Sequence, residues 1–170
     1  MRFCLRGSDG NDKIEISVLE ASEEVPISPC EYDLTLTVDI DAGCFHVKQA
    51  TTGLDCVSTL KAFLSELENC YNTLDGEALF EDDSWGPDFW FRVKMEPKGH
   101  AYITGMMRKR WDTREYQLDF AMESEQSFFP ETMLQINLIL EVLEQKRENY
   151  YHQARKKLME AERNAGDDNE

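Results

Sequence analysis

From Tyr32 to Asp41 the chain reads YDLTLTVDID, ten residues in which Tyr32, Leu34, Leu36, Val38 and Ile40 alternate without a break against Asp33, Thr35, Thr37, Asp39 and Asp41. Side chains on a strand point to its two faces in turn, so a strict period of two predicts a strand with one face in an apolar core and the other in water. Antiparallel sheets are the ones that commonly leave a face wet. The same alternation recurs upstream in Lys13 to Glu20, through Ile14, Ile16 and Val18, and downstream in Cys44 to Ala50 after an Ala42-Gly43 turn. Phe89 to Met95, Ala101 to Met107 and Tyr116 to Met122 give three further strands, separated by Pro97-Lys98-Gly99 and by a polar tip at Arg108-Lys109-Arg110.

Two segments change to helical spacing. Between Leu54 and Leu74 the apolar residues are Val57, Leu60, Phe63, Leu64, Leu67, Cys70, Tyr71 and Leu74, with Asp55 in the first turn and Gly76 as the stop. A second helix opens at Pro130 with Glu131 beside it and buries Met133, Leu134, Ile136, Leu140 and Leu143. Strands in runs with helices between the runs predict an α+β fold. The expected architecture is an antiparallel β-sheet of six to eight strands with two main helices packed on one face, the second extended at the C-terminus. Strand, strand, helix occurs over residues 32 to 74 and again over 99 to 144, so a duplicated unit is expected. Residues 1–145 form one domain on this reading, and 146–170 a helical extension that frays into its acidic end. The uncovered sheet face would display Asp33, Thr35, Thr37, Asp39 and Asp41.

Charge narrows the function. The formal net charge is −16, and residues 1–90 hold 19 acids against 5 bases while residues 91–170 hold 15 against 13. An acidic chain repels nucleic acid and anionic membranes, so neither is an expected partner, and a protein partner is expected to be basic. No apolar run is long enough for a spanning helix, and the N-terminus MRFCLRGSDGNDK lacks the apolar core of a signal peptide, so a cytoplasmic protein is expected. Five cysteines at unrelated spacings, Cys4, Cys30, Cys44, Cys56 and Cys70, fit free thiols in a reducing compartment, most of them in the core.

Chemistry finds little support. His46, His100 and His152 make no metal-binding spacing, and no phosphate-cradling or nucleophile-elbow motif occurs. No catalytic residue, metal ligand or cofactor is therefore assigned. The stretch FEDDSWGPDFWF, Phe80 to Phe91, crowds four carboxylates and five large aromatics into twelve positions. With Phe89, Phe91, Val93 and Met95 in the core, the pleat turns Trp90 outward beside Arg92, Lys94 and Glu96. Aromatic side chains beside charges commonly anchor protein interfaces. The candidate partner-binding residues are thus Asp33, Asp39, Asp41, Glu81, Asp82, Asp83, Trp85, Asp88 and Trp90. Two other classes stay open: a metal-assisted hydrolase using the clustered carboxylates, and an oligomerising module, a homodimer built on the C-terminal helix.

The run Thr37 to Glu81, TVDIDAGCFHVKQATTGLDCVSTLKAFLSELENCYNTLDGEALFE, resembles the WapI family of bacterial toxin immunity proteins. It shows a strand, a turn with Gly, a strand, and a helix ending in a Leu-x-Gly-x-Ala step into a strand. Leu5-Arg6-Gly7-Ser8-Asp9-Gly10 followed by Ile14-Glu15-Ile16, and Ser127-Phe128-Phe129-Pro130 before the last helix, are similar as well, and the likeness covers about residues 3–143. The resemblance implies a small cytosolic α+β protein that binds and blocks a cognate toxin domain, often a nuclease, without catalysis of its own. It carries over no binding positions. The tail beyond Leu143 departs from the usual ending.

Overall fold

The computed structural model describes residues 1–19, 34–53, 56–81 and 88–167. The elements are β1 (Arg2–Arg6), β2 (Lys13–Leu19), β3 (Leu34–Ala42), β4 (Phe45–Gly53), α1 (Cys56–Thr73), β5 (Gly76–Glu81), β6 (Phe89–Met95), β7 (His100–Trp111), β8 (Arg114–Glu125) and α2 (Phe129–Asp167). All strand pairs are antiparallel, and they divide into two four-stranded meanders, β1-β2-β3-β4 and β5-β6-β7-β8. The eight strands and two main helices match the expected α+β class. The repeat in the sequence is fuller than strand, strand, helix: it is four strands and a helix, twice.

Two local expectations change. Arg108, Lys109 and Arg110 are paired strand residues, opposite Gln117, Tyr116 and Glu115, and not a turn. Ladder bonds need no apolar side chain, and Arg110 Nε sits 3.5 Å from Glu115 Oε2 across the pair. The turn falls at Asp112-Thr113, where Asp112 takes φ 56°, a left-handed conformation that short polar side chains tolerate. At the end of α1, Leu74 and not Gly76 is the first left-handed residue (φ 54°), and its N–H donates to Cys70 O at 2.9 Å. Gly76, at φ 101°, opens β5.

The inner faces of both sheets and the buried stripes of both helices meet in one apolar core. Phe3 and Leu5 of β1, Ile14, Ile16 and Val18 of β2, and Leu36, Val38 and Ile40 of β3 face it from the first sheet. Ala78 and Phe80 of β5, then Phe89, Phe91, Val93 and Met95 of β6, face it from the second. Five phenylalanines fill its centre: Phe80 stacks on Phe91 (centroids 5.1 Å, planes 10° apart), and Phe63 of α1 sets its edge against both rings. Phe3 and Phe89 close the group at 6.5 and 6.0 Å from Phe80. Such pairs add about 0.5–1.5 kcal/mol each beyond the area they bury.

Each helix also seals the leading edge of the sheet it does not follow in sequence. On β1, Cys4 N–H donates to Gln135 Oε1 (3.0 Å) and Cys4 C=O accepts from Thr132 Oγ1 (2.7 Å), both on α2. On β5, Leu79 N–H donates to Glu66 Oε2 of α1 (2.8 Å). An open edge is a template for unwanted strand pairing, and these side chains occupy its hydrogen-bonding groups. The sheets are tied to each other where Ser8 N–H donates to Glu123 O (2.8 Å) and Ser124 Oγ to Arg6 O (2.6 Å). Among the described residues no helix is long and apolar enough to cross a membrane.

Candidate partner-binding face

The outer face of the first sheet carries the alternation that opened the sequence. Cross-strand register sets it out in rows: Arg6, Lys13, Asp41, His46; then Cys4, Glu15, Asp39, Lys48; then Arg2, Ser17, Thr37, Ala50. Three acids therefore stand among four lysines and arginines. Asp41 lies 3.4 Å from Lys13 Nζ and 2.6 Å from His46 Nδ1, and Asp39 lies 3.1 Å from Lys48 Nζ. The hydrogen bond from His46, more than any other neighbour, holds the Asp41 carboxyl below its ordinary range. Among the described residues, the acids of β3 thus sit on a face where charge alternates in sign.

Asp39, Asp41 and His46 are also, among the described residues, one trio of potential metal ligands, their ligating atoms within 4.8 Å of one another. Asp39 Oδ1 is buried without a hydrogen bond, 3.5 Å from His46 Nδ1. The second oxygen of each carboxylate already faces a lysine. A cation held by the first oxygens and His46 would sit beside two ammonium groups that repel it, so the arrangement fits an ion-pair network better than a Lewis-acid site.

The second sheet differs. Its inner face is in the core, and neither α1 nor α2 covers the outer one. Row by row the outer positions are Glu81, Trp90, Met106, Asp119; then Leu79, Arg92, Thr104, Ala121; then Glu77, Lys94, Tyr102, Glu123. Leu79 and Tyr102 are exposed, Trp90 is half-buried, and Met106 is only 8% exposed although it points away from the core. Four acids stand against two bases, with Arg92 Nε 3.4 Å from Glu77 Oε2. An apolar and aromatic centre with a charged rim is the composition of a protein-binding patch. Gly105 makes this geometry possible: a Cβ there would come within 2.5 Å of Trp90 O and 2.9 Å of Phe91 Cβ, and would meet the Phe120 ring.

Of the nine residues singled out in the sequence, Glu81 and Trp90 pair directly across β5 and β6. Asp88 lies just before β6, its C=O accepting from Arg108 N–H at 2.6 Å. Asp39 and Asp41 lie on the other sheet. Asp33, Asp82, Asp83 and Trp85 lie outside the described residues. Sequence reasoning missed Leu79, Tyr102 and Met106. The signal was present in the apolar neighbours Leu79-Phe80 and Met106-Met107, since adjacent apolar residues on a strand mean that both faces carry them.

Nucleophiles are quiet. Cys4, Cys44 and Cys70 are free thiols, and Cys44 is exposed in the β3–β4 turn, not in the core. Burial pushes the thiols of Cys4 and Cys70 up, away from reactive thiolates. A cleft of about 350 Å³ where the sheets meet is lined by Val47, Gln49, Met107, Lys109, Tyr116 and Leu118, among others, with no carboxylate or thiol among the described residues that line it.

Comparison with known proteins agrees with a binding role. A family model described as the immunity protein WapI-like family matches residues 4–144. The chain belongs to that family. Among solved structures, this WapI-like protein matches a chain of the CdiA-CT/CdiI toxin and immunity complex from Enterobacter cloacae, at 12% identity and a TM-score of 0.38, over 72% of this chain and 98% of the other. No curated protein matches it. The family match ends one residue beyond Leu143, the last position on α2 described as buried, and the remainder of that helix lies outside the matched stretch.

Proposed function

We propose that this protein neutralises its cognate toxin without catalysis, by laying the outer face of β5–β8 against a basic surface of the toxin domain. The observation that carries the reading is the Trp90 and Met106 centre, with Leu79 and Tyr102 beside it, bordered by Glu77, Glu81, Asp119 and Glu123 on a sheet face that neither helix covers. Covering a toxin's substrate channel needs shape and charge but no chemistry from the inhibitor. A net charge of −16 steers a basic partner and speeds association, an effect that salt screens over about 10 Å at 0.1 M. A nuclease domain, with its positive substrate groove, fits that description. Free thiols at Cys4, Cys44 and Cys70 are consistent with action in the cytoplasm.

The test is affinity for the cognate toxin domain, measured against ionic strength. Trp90→Ala should weaken binding by about 30-fold or more, the loss expected for a buried aromatic anchor at roughly 2 kcal/mol. Asp119→Lys should slow association most at low salt. If Trp90→Ala and Asp119→Lys bind as the parent does while Asp39→Lys and Asp41→Lys do not, the interface belongs to the first sheet and the assignment to the second is wrong.

A further inference from the structure

The core stripe of α2 runs through Phe129, Thr132, Ile136, Ile139, Leu140 and Leu143. Another apolar line occupies a different face: Leu134, Leu138 and Val142, each one turn from the last and 60, 53 and 36% exposed. Past Leu143 the helix runs on to Asp167, about 36 Å at 1.5 Å per residue. On that stretch Met159 is 62% exposed. It lies 25 residues after Leu134, within about 20° of seven full turns, so the two side chains share one line along the helix. His152, at 18 residues, falls on the same line.

Charge along α2 is segregated. From Phe129 to Gln145 the acids are Glu131, Glu141 and Glu144, with no base; from Lys146 to Lys157 there are five bases and one acid, Glu148. Two such helices side by side in parallel would set like charge on like. Reversed about residues 146 and 147, residues 129–145 of one, with three acids and no base, face 148–164 of the other, which hold four bases against three acids.

We propose that two copies of this chain associate through antiparallel pairing of α2, with Leu134 of one protomer against Met159 of its partner. A two-fold axis near residues 146 and 147 makes that contact occur twice and sets Glu141 opposite His152 and one turn from Arg155. Leu138 then packs on the aliphatic stem of Arg155. The domains stay clear of each other, because each holds its own α2 from the opposite side over the core stripe. The face of β5–β8 remains open in both copies, so the dimer presents two toxin-binding faces.

The purified full chain, weighed by light scattering at tens of micromolar, should give twice 19.7 kDa. Leu134→Glu with Leu138→Glu, both exposed and outside the core, should halve that mass and leave the melting temperature of the domain unchanged. In a Cys44→Ser background, the pair Leu134→Cys and Met159→Cys should yield a disulfide-linked dimer on mild oxidation, and Leu134→Cys alone should not. A parent chain of single mass overturns the proposal and leaves the apolar line to a different partner. A dimer cross-linked by Leu134→Cys alone overturns the antiparallel register.

Discussion

Thr132→Val separates the edge-sealing role of α2 from ordinary burial. The Thr132 side chain is 1% exposed, and its hydroxyl donates to Cys4 O at 2.7 Å. Valine has nearly the same shape and exchanges the hydroxyl for a methyl. Burial alone would make that exchange stabilising, by about 0.8 kcal/mol for one buried carbon group. The structure predicts the opposite sign. Without the hydroxyl, the outward carbonyl of β1 loses its donor, at a cost of about 1–3 kcal/mol for an unsatisfied group. The net expectation is a loss of about 0.2–2 kcal/mol, which in a chain of this length lowers the melting temperature by up to about 6 °C. Calorimetry measures the shift, and amide exchange locates it: protection should fall in β1 and hold in the middle of α1. A variant that melts at or above the parent temperature would show that Thr132 is a packing residue and that the edge of β1 needs no donor.

Gly105→Ala should destabilise by about 1–3 kcal/mol in a urea melt, because the new methyl meets Trp90 O, a backbone atom that cannot step aside. Asp41 has a folded-state pKa below its ordinary 3.8, so its contribution is complete above that value and is lost as the pH falls through the lowered one. Asp41→Asn should therefore flatten the acid limb of the stability curve below about pH 4 and leave its slope near neutrality unchanged. Asp9→Asn should act in the same direction, since the backbone N–H groups of Asp12 and Asn11 hold the Asp9 carboxyl low.

Six strands and both helices were legible because each carries a complete period of its own. β1 was not, since five residues with two inward positions, Phe3 and Leu5, are too few to establish alternation. β5 entered only through the family resemblance, which places a strand after the Leu-x-Gly-x-Ala step. The division into two sheets could not be read at all: a period of two states which way a side chain points and not which strand lies beside it. The same gap explains the first sheet's outer face. Asp39 and Asp41 face outward as alternation requires, but Lys13 and Lys48, which offset them, arrive through register with β2 and β4. The outward direction of Trp90 was legible for the converse reason, because it follows from the alternation of β6 alone.

The two edge seals close at different times during synthesis. Glu66 precedes Leu79 by 13 residues, so β5 can be capped as it leaves the ribosome. Cys4 waits for Gln135, 131 residues later, which at 5–20 residues per second leaves β1 with a bare edge for roughly 10 s. The first strand made is thus among the last to be secured. A chain cut short before Thr132 would fail at its beginning, and for a protein that must be ready before a toxin arrives, this interval bounds how soon protection can start.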